Sequence, residues 1–420
     1  MHVLHAGRFE LGSVHGTHHA LWQLAVAQAG AGHEVTIVNL GWEVAAEHVE
    51  IARRSGIRLV GLAVRRSTAL WKDDGGSMRR CLEELAPDIV HLQYVRIAEL
   101  RPFSRILRSL AIPYVVSLHG GMMRAEMVRH RLRKLVWWHA VEKAVHRGAA
   151  GIHFVTCAER DDYRQHFGPA AVADAVIANV VEPEGELPNW KGEVRADAPR
   201  LVTLGRYDIW HKGLDKLAAM TRALHERGIY AELDLHGSAI GRFEKPMAEL
   251  LGACRGLPVR DAGMVTGIAK YESLAASDLY VQYSRFELFG MALVEALRVG
   301  VPVALSEVCD LAPDLAKARA ALVLPMDPGL AAGVVASALA DPGEMAAMAA
   351  RGRAWWHANC RGPVVVAGMD AMYQSALGCA AAAAERTHSV TLVTRAALGR
   401  GAAVRKRTAR ASLAGGAPPR

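Results

Sequence analysis

In the stretch SRFELFGMALVEALRVGVPV, residues 284–303, two carboxylates flank a glycine: Glu287 before it and Glu295 after it. The apolar period from Gly290 to Arg298 predicts a short helix closed by Gly300, with Pro302 opening a buried strand beyond it. Glu287 then falls in the loop before the helix and Glu295 about 1.4 turns inside it, so both carboxylates can face one ligand. The unpaired N–H groups around Gly290 and Met291 form a positive helix end suited to a phosphate or diphosphate, while the carboxylates accept hydrogen bonds from hydroxyl groups. A second stretch, LVTLGRYDIWHKGLDKLAAM (residues 201–220), carries two permanent cations. Its strand ends at Gly205, Arg206 projects from the strand end, and Lys212-Gly213 precedes the next helix. Arg206 and Lys212 together can neutralise a diphosphate as negative charge grows on it when a bond to it breaks.

Such groups need strand ends and helix starts to hold them, and the chain supplies a repeating set. It opens as strand, loop, helix, strand through HVLHAG, RFELGSVHGTH, HALWQLAVAQAGAGH and EVTIVNL, and further apolar runs follow at IRLVGLAV, DIVHLQY, YVVSLHG and GIHFVTC. A second series begins at RLVTLG and runs through AELDLHG, LPVRDAG, DLYVQYS, VPVALSE and AALVLPM. Strands alternating with helices predict doubly wound parallel sheets, with the ligand at the carboxyl ends of the strands. The fold class is therefore α/β, with two Rossmann-like domains facing a central cleft. We expect a first domain over residues 1–182 and a Pro-rich linker at 183–199. A second domain follows at 200–362, then a helix at 363–380 returning to the first domain, and a basic tail without fold at 381–420.

A length of 420 residues fits two domains better than one core. No stretch reaches the roughly 18 uninterrupted apolar residues of a membrane span, and the opening MHVLHAGR lacks the pattern of a signal peptide. The six cysteines are scattered without Cys-x-x-Cys spacing, which fits a reducing cytoplasm and argues against a zinc site or a disulfide framework. His15, His18 and His19 cluster without carboxylates or cysteines nearby, so no metal site is expected there.

The net charge of +8 is concentrated in two places. Residues 385–420 carry eight basic side chains against Glu385, and residues 122–147 carry seven against two acidic ones, which leaves the remainder net acidic. Within 122–147, Val128, Leu132, Leu135, Trp138, Val141 and Val145 recur at steps of three or four, while Arg124, Arg129, Arg131, Arg133 and Lys134 crowd the first half, as in a helix lying on a surface. With the tail at 386–420, this predicts affinity for an anionic membrane surface. No aromatic-interleaved basic groove accompanies the charge, so nucleic acid is not expected as a partner.

The Glu287–Glu295 stretch resembles the Glu-x7-Glu motif of the large retaining glycosyltransferase family 4 with the GT-B fold, including its Phe-Gly after the first Glu and Gly-x-Pro after the second. Arg206 and Lys212-Gly213 resemble that family's Gly-Arg…Lys-Gly donor-phosphate signature. The resemblance covers about residues 1–378 and extends to weaker elements. Gly16 in GSVHGTH matches the glycine-rich loop, with His15-Gly16 in place of a glycine pair. His119 in SLHGG sits where the family has a histidine near the transferring sugar. Asn179 resembles a Pro-Asn-Gly turn, and Gly263-Met264 the place where backbone holds the nucleotide base. After Pro302 the family usually carries a Gly-Gly turn, whereas this chain has ALSEVCDLAPDLAKA.

The resemblance implies a nucleotide-sugar donor, a hydroxyl acceptor such as a lipid-linked or envelope polysaccharide precursor, transfer with retention, and no cofactor or metal. An Asp-x-Asp motif is indeed absent from the sequence. In this reading Glu287, Arg206, Lys212 and His119 are catalytic, and Gly16, Met264, Gly290, Met291 and Glu295 bind the donor. The enzyme is expected in the cytoplasm, peripheral on the inner face of the membrane. A sugar-nucleotide 2-epimerase on the same architecture, or a non-catalytic sugar-nucleotide-binding protein, are the alternatives.

Overall fold

The computed structural model describes residues 1–13, 15–62, 76–123, 131–168, 173–182, 185–195, 197–239 and 241–379. The apolar runs of the first half form a seven-stranded sheet from β1 (His2–Gly7), β2 (Glu34–Leu40), β3 (Ile57–Leu62), β4 (Ile89–Gln93), β5 (Tyr114–Ser117), β6 (Gly151–Phe154) and β7 (Ala173–Val176). Its order is β3-β2-β1-β4-β5-β6-β7, and every pair is parallel. The second half forms a six-stranded sheet from β8 (Arg200–Leu204), β9 (Glu232–His236), β10 (Val259–Asp261), β11 (Leu279–Gln282), β12 (Val303–Ser306) and β13 (Leu322–Leu324), in the order β10-β9-β8-β11-β12-β13, again all parallel. Helices cover both faces, which is why β1, β4 and β11 are buried along their whole length instead of alternating. In each sheet the strand order reverses once, between β1 and β4 and between β8 and β11, and a crevice opens at the carboxyl ends there.

The first core is unusually rich in imidazoles, and hydrogen bonds satisfy them. His5 bonds Gln28 at 2.7 Å and Gln93 at 2.9 Å, His91 bonds Ser117 at 2.6 Å and the Tyr373 hydroxyl at 2.8 Å, and Ser117 bonds His153 at 2.5 Å. Burial pushes His5 and His153 down to about 4, so both rings stay neutral.

Residues 362–379 form a helix whose Val365, Met369, Met372, Tyr373 and Ala376 pack against Val3, Leu24, Ile89, Val115 and Val180 of the first half. The preceding segment, 185–195, is held to the second half: Trp190 N–H donates to the Val299 carbonyl at 3.2 Å and Arg195 N–H to Asp278 at 3.1 Å.

The basic stretch also takes shape. Arg131–Trp137 is helical, a π turn at Trp138–Glu142 re-phases the chain, and Lys143–Gly148 continues as helix. The apolar stripe splits at that turn. Trp138, Val141 and Val145 are buried, whereas Leu132 and Val136 are 80% and 69% exposed and Leu135 is exposed beside them. Residues 124–130 and 381–420, with Arg124, Val128, Arg129 and the basic tail, lie outside the described residues. No helix among the described residues is long and apolar enough to cross a membrane.

The Tyr373 hydroxyl contacts both Gln28 and His91 inside the first core. Removing it in Tyr373→Phe strands two buried polar groups and should lower unfolding stability by about 1–3 kcal/mol in urea titration. An unchanged midpoint would contradict the docking described for residues 362–379.

Candidate active site

The loops that follow β8 and β11 meet across the reversal point of the second sheet. Gly213 (φ +63°) lets them touch, because a Cβ there would stand 2.0 Å from the Tyr283 carbonyl oxygen. Asp208 caps the turn Ile209–Lys212 by accepting the His211 N–H at 3.1 Å. The His211 ring stacks on Phe286 with centroids 3.9 Å apart, its Nε2 lies 3.0 Å from the Phe286 carbonyl, and Arg285 grips both oxygens of Asp215 at 2.8 and 2.6 Å. This pairing sets Lys212 Nζ 2.5 Å from Glu287 Oε2. Burial pushes the Glu287 carboxyl upward, but Lys212, with His211 and Arg206, outweighs it and holds the group below its ordinary range. On the other side, the Asp310 N–H donates to the Glu287 carbonyl at 2.9 Å.

The helix after this loop runs Met291–Val299, with Gly290 before it and Gly300 after it, both in the left-handed region. Gly290 has a steric reason as well, since a Cβ would approach the Gln282 side chain to 2.5 Å. Glu295, buried one turn into the helix, accepts from Lys270 at 2.6 Å and from the Tyr271 hydroxyl at 3.4 Å, and faces His19 Nε2 at 3.7 Å. Burial raises its carboxyl, and His19 and Lys270 more than reverse that.

A cavity of about 390 Å³ lies between the two sheets, walled by Gly16, Arg206, Met264, Lys270, Met291 and Glu295 among others. The first half reaches the second at this level: the Gly16 backbone lies against the Met291 side chain, Gly120 against Leu288, and the Thr156 hydroxyl donates to Asp310 at 3.2 Å.

Of the residues singled out from sequence, Arg206, Gly16, Met264, Met291 and Glu295 thus share one cavity. Lys212 and Glu287 form a pair beside Arg206, and Gly290 opens the helix. His119 is not brought to that cavity. Its ring bonds Gln93 at 2.8 Å and lines a separate small void with Asn179 and Met369, where burial pushes it down to about 3. Three groups escaped the motifs. Lys270 and Tyr271 lie on the helix Gly267–Ala275 and reach Glu295 only through the fold. His236, at the end of β9, bridges the Gly263 carbonyl at 3.2 Å and the Ser273 hydroxyl at 2.7 Å, fixing the loop that carries Met264. Its position before Gly237 at a strand end was the available signal.

Comparison with known proteins agrees with this layout. Residues 15–179 match the glycosyl transferase 4-like domain, and residues 198–341 match the glycosyl transferases group 1 model. The glycogen synthase of Mycobacterium tuberculosis is 26% identical over 327 residues, covering 76% of this chain and 72% of that protein. Among solved structures, sucrose-phosphate synthase from Thermosynechococcus elongatus superposes with a TM-score of 0.66 at 17% identity, over 90% of this chain and 99% of that one. The Anabaena protein Alr3699/HepE, in complex with UDP and glucose, does so with a TM-score of 0.68 at 16% identity, over 89% and 100%. These structural likenesses establish the two-domain GT-B fold.

The Lys212–Glu287 pair has a pH signature. A carboxyl held below its ordinary range contributes stability that is complete above that range and is lost as pH falls through the lowered value. Lys212→Met leaves the largely buried carboxylate without its cation and should cost about 3 kcal/mol near neutrality. The gap to wild type should shrink on acidification, as the stranded carboxylate takes up a proton. Urea unfolding at neutral and acidic pH checks this; a gap independent of pH would contradict the pairing.

Proposed function

The chain belongs to the group 1 glycosyltransferases of the family 4 type, and we propose that it moves a sugar from a nucleotide-sugar donor to a hydroxyl acceptor with retention of anomeric configuration and without a metal ion. The observation that carries this reading is the convergence of Arg206, Lys212 and the Met291–Val299 helix start beside Glu287 and Glu295. The donor diphosphate lies against Arg206, Lys212 and the N–H groups at Gly290 and Met291, which supply the counter-charge a metal supplies elsewhere. Glu287 accepts hydroxyls of the transferring sugar, Glu295 those of the ribose, and backbone at Gly263 and Met264 meets the base. The bond between the anomeric carbon and the phosphate oxygen breaks while the acceptor oxygen bonds to that carbon from the same face, and the acceptor proton passes to the leaving phosphate. Because the similar Anabaena protein was solved with UDP and glucose, UDP-glucose is the first donor to test.

For the acceptor we favour a lipid-linked or envelope polysaccharide precursor, reached at the inner face of a membrane. Support comes from the exposed Leu132, Leu135 and Val136 on a helix that also carries Arg133 and Lys134. Each cation near anionic lipid adds about 1 kcal/mol. Binding to phosphatidylglycerol vesicles at low salt should fall when Leu132 and Val136 become Ser and fall further on deletion of 386–420; a wild-type protein that leaves such vesicles unbound excludes the membrane reading.

Turnover of UDP-, GDP- and ADP-sugars in the presence of EDTA tests the transfer reading. Glu287→Ala or Arg206→Ala should each lower it at least ~100-fold with the fold intact, and proton NMR of the product should show the donor's anomeric configuration. Full turnover in Glu287→Ala, a strict need for added metal, or an inverted product would each refute the corresponding part.

A further inference from the structure

Trp210 stands two residues before Lys212 with its side chain 61% exposed. Single exposed apolar residues are ordinary on protein surfaces, but this one is braced. Its carbonyl accepts Arg285 Nη1 at 2.8 Å, and that guanidinium, clamped by Asp215, lies 5.9 Å from the indole centroid. Phe286 stands 6.0 Å away, itself fixed by its stack on His211. The indole N–H donates to no group among the described residues. The result is a flat, apolar and positioned ring with a free donor on its edge, carried by the two loops that hold Lys212 and Glu287.

A pyranose ring matches that description. One of its faces shows C–H groups of slight positive charge, which the negative face of an indole attracts, and its rim carries hydroxyls that an indole N–H can meet. A nucleobase also stacks on aromatic rings. The cavity that Met264 lines does not include Trp210, however, and the loop that carries Met264 follows β10, two strands from β8 and thus about 10 Å along the sheet, so a base held at Met264 leaves this ring free.

We propose that Trp210 is a stacking platform for a saccharide unit of the acceptor, beyond the unit whose hydroxyl receives the sugar. The placement rests on the transfer reading above, but the binding itself needs no donor and can be measured apart from it. Fluorescently labelled full-length protein is applied to an array of immobilised oligosaccharides without nucleotide sugar. Wild type should retain a subset of the glycans, Trp210→Ala should lower retention about tenfold or more, and Trp210→Phe, which keeps a flat ring, should restore most of it. Thermal midpoints should match, since the side chain is largely in solvent. Retention that is equal in wild type and Trp210→Ala, or no glycan retained by wild type, overturns the proposal. Trp210-dependent retention in a protein whose Glu287→Ala variant turns over donors at the full rate would uphold the saccharide site while removing the transfer site.

Discussion

The Glu287 side chain keeps only 15% of its surface in water, and a carboxylate so placed is stabilised as an anion by a matching cation. Lys212 is that cation, and its arrival depends on two loops that bring together residues 75 positions apart in sequence. Gly213 permits the contact of the backbones, His211 on Phe286 aligns them, and Arg285 with Asp215 locks their outer ends. Each of these interactions makes sense as a means of holding one ion pair at the carboxyl ends of β8 and β11. Arg206, Gly290 and the helix start are then positioned by the same two strands, so the charge pair and the helix start share one scaffold.

The first half of the chain contributes closure. It meets the second through Gly16 on Met291, His19 facing Glu295, Gly120 on Leu288, and Thr156 on Asp310. The buried carboxyl of Glu159 and the partly buried one of Asp310 lie along this seam. Desolvation raises Glu159 to about 7 against the pull of the Val155 and Gly120 N–H groups, and raises Asp310 to about 7 against the hydrogen bond from Thr156, while each feels neighbouring negative charge. The 362–379 helix and the 185–195 segment bind to opposite halves, so the chain crosses the cleft more than once and limits how the halves can separate.

Much of this was legible in residue order. Gly290, Gly300 and Pro302 bracket a helix that folds within one residue of the expected bounds, because left-handed glycines and a following proline are local signals. The alternation of apolar runs marked both parallel sheets for the same local reason. The Glu295 partners were not legible, since Lys270 and Tyr271 come from another helix and His19 from the other half, and no spacing in the sequence encodes that approach. The apolar stripe from Leu132 to Val145 predicted one continuous helical face. The π turn at Trp138–Glu142 divides it into an exposed part and a buried part, a shift that periodicity alone does not reveal. His119 shows the same limit: its motif marked a strand end, but its ring turns toward Gln93 and the first core.

In the proposed transfer reaction the cleft binds a nucleoside diphosphate through cationic side chains and a helix end, with Glu295 on the ribose. Calorimetric titration of UDP, GDP and ADP into metal-free protein measures this directly. One of the three should bind with unit stoichiometry. Arg206→Ala should weaken that binding and flatten its salt dependence, whereas Glu295→Ala should weaken it with the salt dependence unchanged, because only the first removes a charge that faces phosphate. Binding of none of the three, or affinity unchanged in both variants, would contradict the account.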